Sequence, residues 1–391
     1  MATYQQLKRD PASRALFNNR ITSMEGLQTI LKDYAFISLD TEHSPIESGR
    51  SRTLHQVGLA YLSTLALSTH IPNQPRLDDF VNKTQIQSLT LNVNISDQTR
   101  QDLIRYRGGI PNRRPSRFGY ERQVDPDDLE SAVVEFIQSC KSTKLVLIGF
   151  EMPAEWTYLL RNFPRAIPYF SFWIDLRDIA RDVAAIGVIP GRVSVLQTFG
   201  YHWKDIKGSN RQGGSADNAG NDAVSVLAMA NAFLYPENQK RLQFRQACAQ
   251  IAQHTFNENK IIFGATIRSQ NGLLPNPINT STKLARYFFD FIPTSTGLKS
   301  TEIAFITFEN ERHLDQFIQA NDQQLLPTGE TLSVVPIIKE SAVARGTAER
   351  EEKQRLRAIK KAARLNDDID LCEVYTTILE TGENVQDTQG E

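Results

Sequence analysis

Cysteine is scarce in this chain. Only Cys140, Cys248 and Cys372 occur in 391 residues, and no two stand in a C-x-x-C spacing. That excludes a disulfide scaffold, gives no sign of a zinc site and suits a reducing compartment. Long apolar runs are missing as well: no stretch of about 18 apolar residues is present, and "MATYQQLKRDPASRALF" lacks the apolar centre of a signal peptide. The expectation is a soluble cytoplasmic or nuclear protein with no membrane partner. Charge of one sign is not in excess either. Lys and Arg number 44 against 45 Asp and Glu, for a formal net charge of −1, so a nucleic-acid partner would have to be met by local basic patches. Phosphate-binding glycine loops, H-E-x-x-H and G-x-S-x-G are absent too, which leaves nucleotide hydrolysis, dehydrogenase, zincin and serine-hydrolase chemistry unsupported.

What is present is a core-forming composition, 40% hydrophobic and 23% charged. Residues 1–33 form an N-terminal segment with helical patterning. In residues 34–255, apolar strand runs such as "YAFISL", "QVGLAYLSTL", "KLVLIGF" and "YFSFWIDL" alternate with helical patterns such as "DPDDLESAVVEFIQSC" and "NDAVSVLAMANAFLYP", which predicts an α/β domain. Residues 71–128 are polar and rich in Asn, Gln, Arg and Pro, and are expected to be an insertion or long irregular connection. Residues 260–338 repeat the alternation on a smaller scale, a βαββαβ-sized module if its second strand lies near Thr294 to Leu298. Residues 339–391 read as a charged helix and a disordered acidic tail.

Three acidic sites stand out. Asp40 and Glu42, at i and i+2 on a strand end, leave the same face. Paired carboxylates repel each other unless a cation lies between them, although solvated strand ends are often acidic without one. Glu155 opens a helix after "LVLIGF", with Glu151 nearby; a helix N-terminal acid favouring the dipole is the alternative. Asp222 lies one turn into the helix that follows "SADNAGNDAV", and Asn218 or Asp217 is its N-cap.

In order, Asp40-x-Glu42, Glu155 after a "GF" strand end, and "DNAGNDA" resemble the three exonuclease motifs of the DEDD superfamily of 3′–5′ exonucleases. "RFGYER", "IGFEMPAEW" and "NAGNDA" are most similar to its fungal branch, which includes the exonuclease that partners Argonaute in RNA silencing. The resemblance covers about residues 34–235. It implies a ribonuclease H-like mixed sheet flanked by helices. It also implies a site in which Asp40, Glu42, Glu155 and Asp222 hold two Mg²⁺ or Mn²⁺ ions for hydrolysis of RNA or single-stranded DNA. The residue five positions before the last aspartate is a histidine in that family and acts as general base; here it is Asp217. With an ordinary pKa near 3.9 against about 6.5 for histidine, an aspartate is a poor base at neutral pH, and general base catalysis contributes about 10²- to 10⁴-fold. The resemblance therefore implies a slow exonuclease, or a pseudonuclease that binds nucleic acid or an Argonaute-like partner without cutting.

The second module carries "IFGATI" and "TEIAFITF", which resemble the paired RNP strands of an RNA-recognition motif on a ferredoxin-like α+β fold. Strand alternation puts Phe263, Ile303 and Phe305 on the open sheet face, where aromatic rings stack bases for about 1–3 kcal/mol each; the alternative is a module that packs on a protein. In "KDIKGSNR", Lys204, Lys207 and Arg211 precede Asp217 and are candidate contacts to a phosphate backbone.

Overall fold

A computed structural model describes residues 9, 11, 13–45, 52–65, 74–109, 114–207, 218–252 and 263–337. The chain divides into two compact units, Met1–Ala247 and Cys248–Glu391. This division falls a few residues before the boundary expected from the sequence. Asp217, Arg211 and the 339–391 tail lie outside the described residues, as does the Lys207 side chain.

The first unit is built on strands β1 (Arg20–Ile21), β2 (Ala35–Pro45), β3 (Arg52–Leu62), β4 (Gln87–Val93), β5 (Tyr120–Val124), β6 (Leu145–Gly149) and β7 (Phe170–Asp175). Its helices are α1 (Arg14–Asn18), α2 (Met24–Ile30), α3 (Leu77–Thr84), α4 (Asp97–Arg107), α5 (Leu129–Ser139), α6 (Pro153–Asn162), α7 (Leu176–Ala184), α8 (Arg192–Thr198), α9 (Trp203–Lys207), α10 (Ala219–Phe233) and α11 (Pro236–Ile251), the last of which runs past the unit boundary. The sheet order is β1-β7-β6-β2-β3-β4-β5. β3 runs against both neighbours, and every other adjacent pair is parallel.

Apolar residues sit on both sides of this sheet because successive strand side chains point to opposite faces. Phe36, Ala60, Val146 and Ile174 join residues of α2, α7, α8 and α10 in one buried cluster. Ile37, Leu59, Leu91, Leu147 and Trp173 join α1, α5 and α6 in the other. A sheet buried on both faces requires near-continuous apolar strands, which is how β6 and β7 read. The N-terminal segment is not separate: Leu16 and Phe17 of α1 enter the second cluster, and Met24, Leu27 and Ile30 of α2 enter the first.

The expected irregular insertion at 71–128 is corrected. It contains α3, β4, α4 and β5, and β4 is an interior strand of the sheet. Leu91 and Val93 face one core, whereas Thr90 and Asn92 are buried on the opposite face and spend their polar groups on neighbouring side chains. Those buried polar residues are what made the strand read as a polar loop.

The second unit carries β8 (Phe263–Ser269), α12 (Ser281–Tyr287), β9 (Ser295–Leu298), β10 (Ile303–Phe308), α13 (Glu311–Asn321) and β11 (Leu332–Pro336), with an antiparallel sheet ordered β11-β8-β10-β9. The second strand expected near Thr294 to Leu298 is β9. Thr280 and Asn310 cap the two helices, accepting from Lys283 N and His313 N. Ala265, Ile267, Ala304, Ile306 and Phe308 face Leu284, Phe288, Leu314 and Phe317. No helix among the described residues is long and apolar enough to cross a membrane.

Candidate functional site

The site forms where α10 lies across the strands at its N-terminal end. Asp40 pairs with Gly58 across β2 and β3, and Gly58 with Thr90 across β3 and β4. The next row is Glu42, Gln56 and Asn92. Cross-strand partners share a face, so both rows look toward α10.

The "NAGNDA" stretch fits these rows residue by residue. Asn218 caps α10, its side chain accepting from Asn221 N at 3.0 Å. The same side chain accepts from Thr90 Oγ1 (3.2 Å) and donates to the Arg114 carbonyl (2.9 Å). Of the two N-cap candidates, Asn218 fills the role. Ala219 N donates to Gln56 Oε1 at 2.8 Å, and Gln56 Nε2 donates to Asn92 Oδ1 at 2.8 Å. A methyl on Gly220 would stand 2.1 Å from Thr90 Oγ1, so this position must be glycine for the helix to sit so low. Asn221 Oδ1 accepts from Arg117 N at 2.8 Å.

That docking delivers Asp222 to the β2 carboxylates. Asp40, Glu42 and Asp222 each offer an oxygen, and the three oxygens lie within 4.8 Å of one another. Burial first, then the neighbouring Asp222, Glu155 and Glu42 carboxylates, push Asp40 well above the usual carboxylate range, while Arg192 pulls it down. Arg192, at the start of α8, is ion-paired with Asp222, and its guanidinium also donates to Ser225 Oγ at 2.9 Å. The sequence reading missed this arginine, because nothing in "PGRVSVLQ" signals which helix it will meet.

Glu155 approaches from the other side. It sits in the first turn of α6, a helix of the opposite core cluster, and is 8% exposed. Thr41 Oγ1 donates to its Oε1 at 3.4 Å, whereas its Oε2 makes no hydrogen bond. Burial pushes this carboxyl up to about 8, with Asp175 and Glu42 adding to the rise and the Glu155 backbone N–H and Thr41 opposing it. Asp175 fixes the entrance to α6 by accepting from the N–H groups of Glu151 (2.9 Å), Met152 (3.2 Å) and Arg177 (3.0 Å). Glu155 is therefore within electrostatic reach of Asp40 but outside the three-carboxylate cluster. His43 bonds Arg52, its ring lies 5.5 Å from that of Tyr158 on α6, and burial lowers its pKa.

Lys204 lines a pocket of about 580 Å³ with Arg76, Arg117 and His202, beside Asp78 and Asp205. The Arg117 guanidinium is occupied by Asp78 and Asp205, so only part of the basic character of this wall is uncommitted.

In the second unit two expectations are corrected. Phe263 pairs with Phe308 and packs on the helix-side core, not the open face. The strand begins at Phe263, so its register, set by Ala265 and Ile267, fixes the side. Phe305 lies on the sheet face opposite α12 and α13, paired with Thr266 and Gly297, but is 2% exposed and presents no ring to solvent. Ile303 is half-buried.

Comparison of the chain with family models finds no match, and comparison with curated proteins finds none.

Proposed function

We propose that the first unit is a divalent-metal-dependent phosphodiesterase of the 3′–5′ exonuclease kind, acting on RNA or single-stranded DNA and slowed by Asp217 at the base position. The observation that carries this reading is the convergence of Asp40, Glu42 and Asp222 within 4.8 Å. The mixed sheet supports its ribonuclease H-like part: β4-β3-β2-β6-β7 form the middle of the sheet, with β3 as the one reversed strand.

An all-oxygen donor set fits a hard cation such as Mg²⁺ or Mn²⁺. The raised Asp40 and the unbonded Glu155 Oε2 are what a cation would relieve. When bound, such an ion supplies a nucleophilic hydroxide at neutral pH and stabilises charge on the leaving oxygen. The chain's own contribution is positional. Asp40 and Glu42 are fixed by the β2–β3 ladder, and Asp222 by the cap and the Gln56 bond. Lys204 stands in a wall tied to the site through Arg117 and Asn221, which suits contact with a phosphate backbone.

A second reading, a pseudonuclease that binds nucleic acid or an Argonaute-like partner, is favoured by the Arg192–Asp222 ion pair, which already neutralises one carboxylate of the site. The second unit has a βαββαβ order and an antiparallel sheet that suit an RNA-recognition-like module, but with Phe263 on the helix-side core and Phe305 buried on the opposite face we read it as a protein-packing module.

The test is a time course on 5′-labelled single-stranded RNA and DNA with Mn²⁺, comparing the wild-type chain with Asp217→His and Asp40→Asn. Trimming by wild type, faster in Asp217→His and lost in Asp40→Asn, is the expected outcome. Trimming by Asp217→His alone selects the pseudonuclease. Trimming that survives Asp40→Asn removes the basis of the proposal.

A further inference from the structure

We infer that the outer edge of β5, with the cleft beside it, binds an extended peptide of a partner protein that carries a bulky apolar residue followed by basic ones. The inference stands apart from the metal-dependent reading, because this cleft lies on the α5 side of the sheet and the acidic cluster on the α10 side.

β5 ends its sheet. It pairs with β4 alone, from Leu89↔Tyr120 to Val93↔Val124, and no described strand meets its other side, where backbone N–H and C=O groups are left to accept a further strand. β1, at the opposite edge, is only two residues long. Tyr120, Glu121, Arg122 and Gln123 are exposed, Tyr120 by 82%. Cross-strand partners share a face, so Tyr120 and Arg122 stand beside Leu89 and Leu91 on the side where α5 packs. Leu91 is buried there while Tyr120 and Arg122 are left uncovered, and a cleft of about 770 Å³ opens between strand and helix. That is the size of an ordinary ligand site. Leu89, Ala132 and Phe136 give it apolar walls, Tyr120 lines it as well, and the Arg122–Glu135 ion pair (2.8 Å) joins β5 to α5. Both charged side chains are well exposed, so the pair is weak and can part for a ligand.

Charge selects the occupant. Asp125, Asp127 and Asp128 follow directly on β5, and all three are exposed. Asp125 accepts from Asn94 Nδ2 at 2.6 Å, whereas Asp127 and Asp128 have no basic partner among the described residues. The basic residue of β5, Arg122, is matched by Glu135, and Glu121 adds a further acid to the strand. The edge therefore runs into a negative field that repels a phosphate backbone and attracts lysine or arginine. Asp125 follows Tyr120 by five residues, roughly 16 Å of strand at about 3.3 Å per residue. A peptide laid along β5 would thus place its basic residues about five positions from the side chain that enters the cleft. Main-chain pairing supplies the hold in such strand addition, and the pocket supplies the selectivity.

The experiment selects from a phage-displayed library of random dodecapeptides on the full chain. The enriched peptide is then measured by fluorescence anisotropy against wild type, Tyr120→Ser and the double variant Asp127→Lys, Asp128→Lys. The three substituted side chains are exposed and make no hydrogen bond, so the fold is expected to survive each change. The expected peptide holds a bulky apolar residue with lysine or arginine about five positions away, and binds each variant about fivefold or more weakly. Its affinity for wild type should fall with added salt, and less so for the double variant. Methylating its backbone nitrogens at alternate residues should abolish binding in one of the two registers. No enrichment, an acidic or unpatterned consensus, or unchanged affinity in either variant overturns the inference. Equal binding of both methylated registers overturns it as well. So does displacement of the peptide by single-stranded RNA, which would make the edge a nucleic-acid surface. A wild-type dimer in sedimentation velocity that Tyr120→Ser dissolves and the peptide leaves intact would assign the edge to a second copy of the chain, and also overturns it.

Discussion

A methyl group on Gly58 would meet the carbonyl carbon and oxygen of Ala219 at 2.0 Å, so the first turn of α10 rests directly on the middle of β3. Because Gly58 is the cross-strand partner of Asp40, this bare position is what lets Asp222 reach the β2 carboxylates. Gly58→Ala is predicted to push α10 off the sheet, costing about 1–3 kcal/mol by overpacking and weakening Mn²⁺ binding. Thermal unfolding of the variant checks it; an unchanged midpoint would show that the helix can shift without cost.

Buried Glu155 gives the ion-free protein a pH dependence. Its folded value, raised to about 8 from 4.5, means that the folded state keeps a proton which the unfolded chain releases first. The associated stability is full below about pH 4.5 and is lost as pH rises through about 8, an effect on the order of a few kcal/mol. In chelator, wild type should therefore lose stability across this window. Glu155→Gln should flatten that part of the curve and be the more stable protein at pH 8.5. Denaturant titrations at pH 5 and pH 8.5 measure both, and parallel pH profiles for the two proteins would count against the buried carboxyl.

Asn218 closes the helix end and reaches Thr90 and Arg114 as well. Replacing it with alanine should cost at least the roughly 1 kcal/mol of an ordinary N-cap, and also loosen Asp222. The readout is twofold, urea unfolding and Mn²⁺ affinity. A stability loss with unchanged affinity would separate the cap from the site.

In the second unit, Phe305 is buried on the sheet face opposite α12 and α13. Phe305→Ala should destabilise that unit by about 3–5 kcal/mol, seen as an earlier unfolding transition, while RNA affinity under conditions where the unit stays folded is unchanged. Lost RNA affinity with an intact transition would reinstate a stacking role.

Much of the fold was legible because apolar strand runs and helical spacing are local signals. β2, β6, β7 and α10 read directly from such runs, as did the βαββαβ order of the second unit. The acidic cluster was legible from the i, i+2 spacing of Asp40 and Glu42 on one strand face and from Asp222 in the first turn of a helix, although β2 runs on to Pro45 and so holds the two acids in its interior, not at its end. β4 was not, since Thr90 and Asn92 turn polar groups inward and give the strand the composition of a loop. Arg192 was invisible for a different reason: its partner Asp222 is distant in sequence, and only tertiary packing of α8 on α10 joins them. Gly58 did carry a signal, a glycine inside a strand pattern, which marks close backbone approach. Phe263 failed through register, which is weakly specified at the first residue of a strand.

The most direct test of the central claim, that Asp40, Glu42 and Asp222 act together as one cation site, is a Mn²⁺ titration of wild type and Asp40→Asn followed by electron paramagnetic resonance of the free ion. Wild type should deplete free Mn²⁺, and Asp40→Asn should lose at least about tenfold in affinity, a difference of about 1.4 kcal/mol. Equal depletion by the two proteins would contradict it.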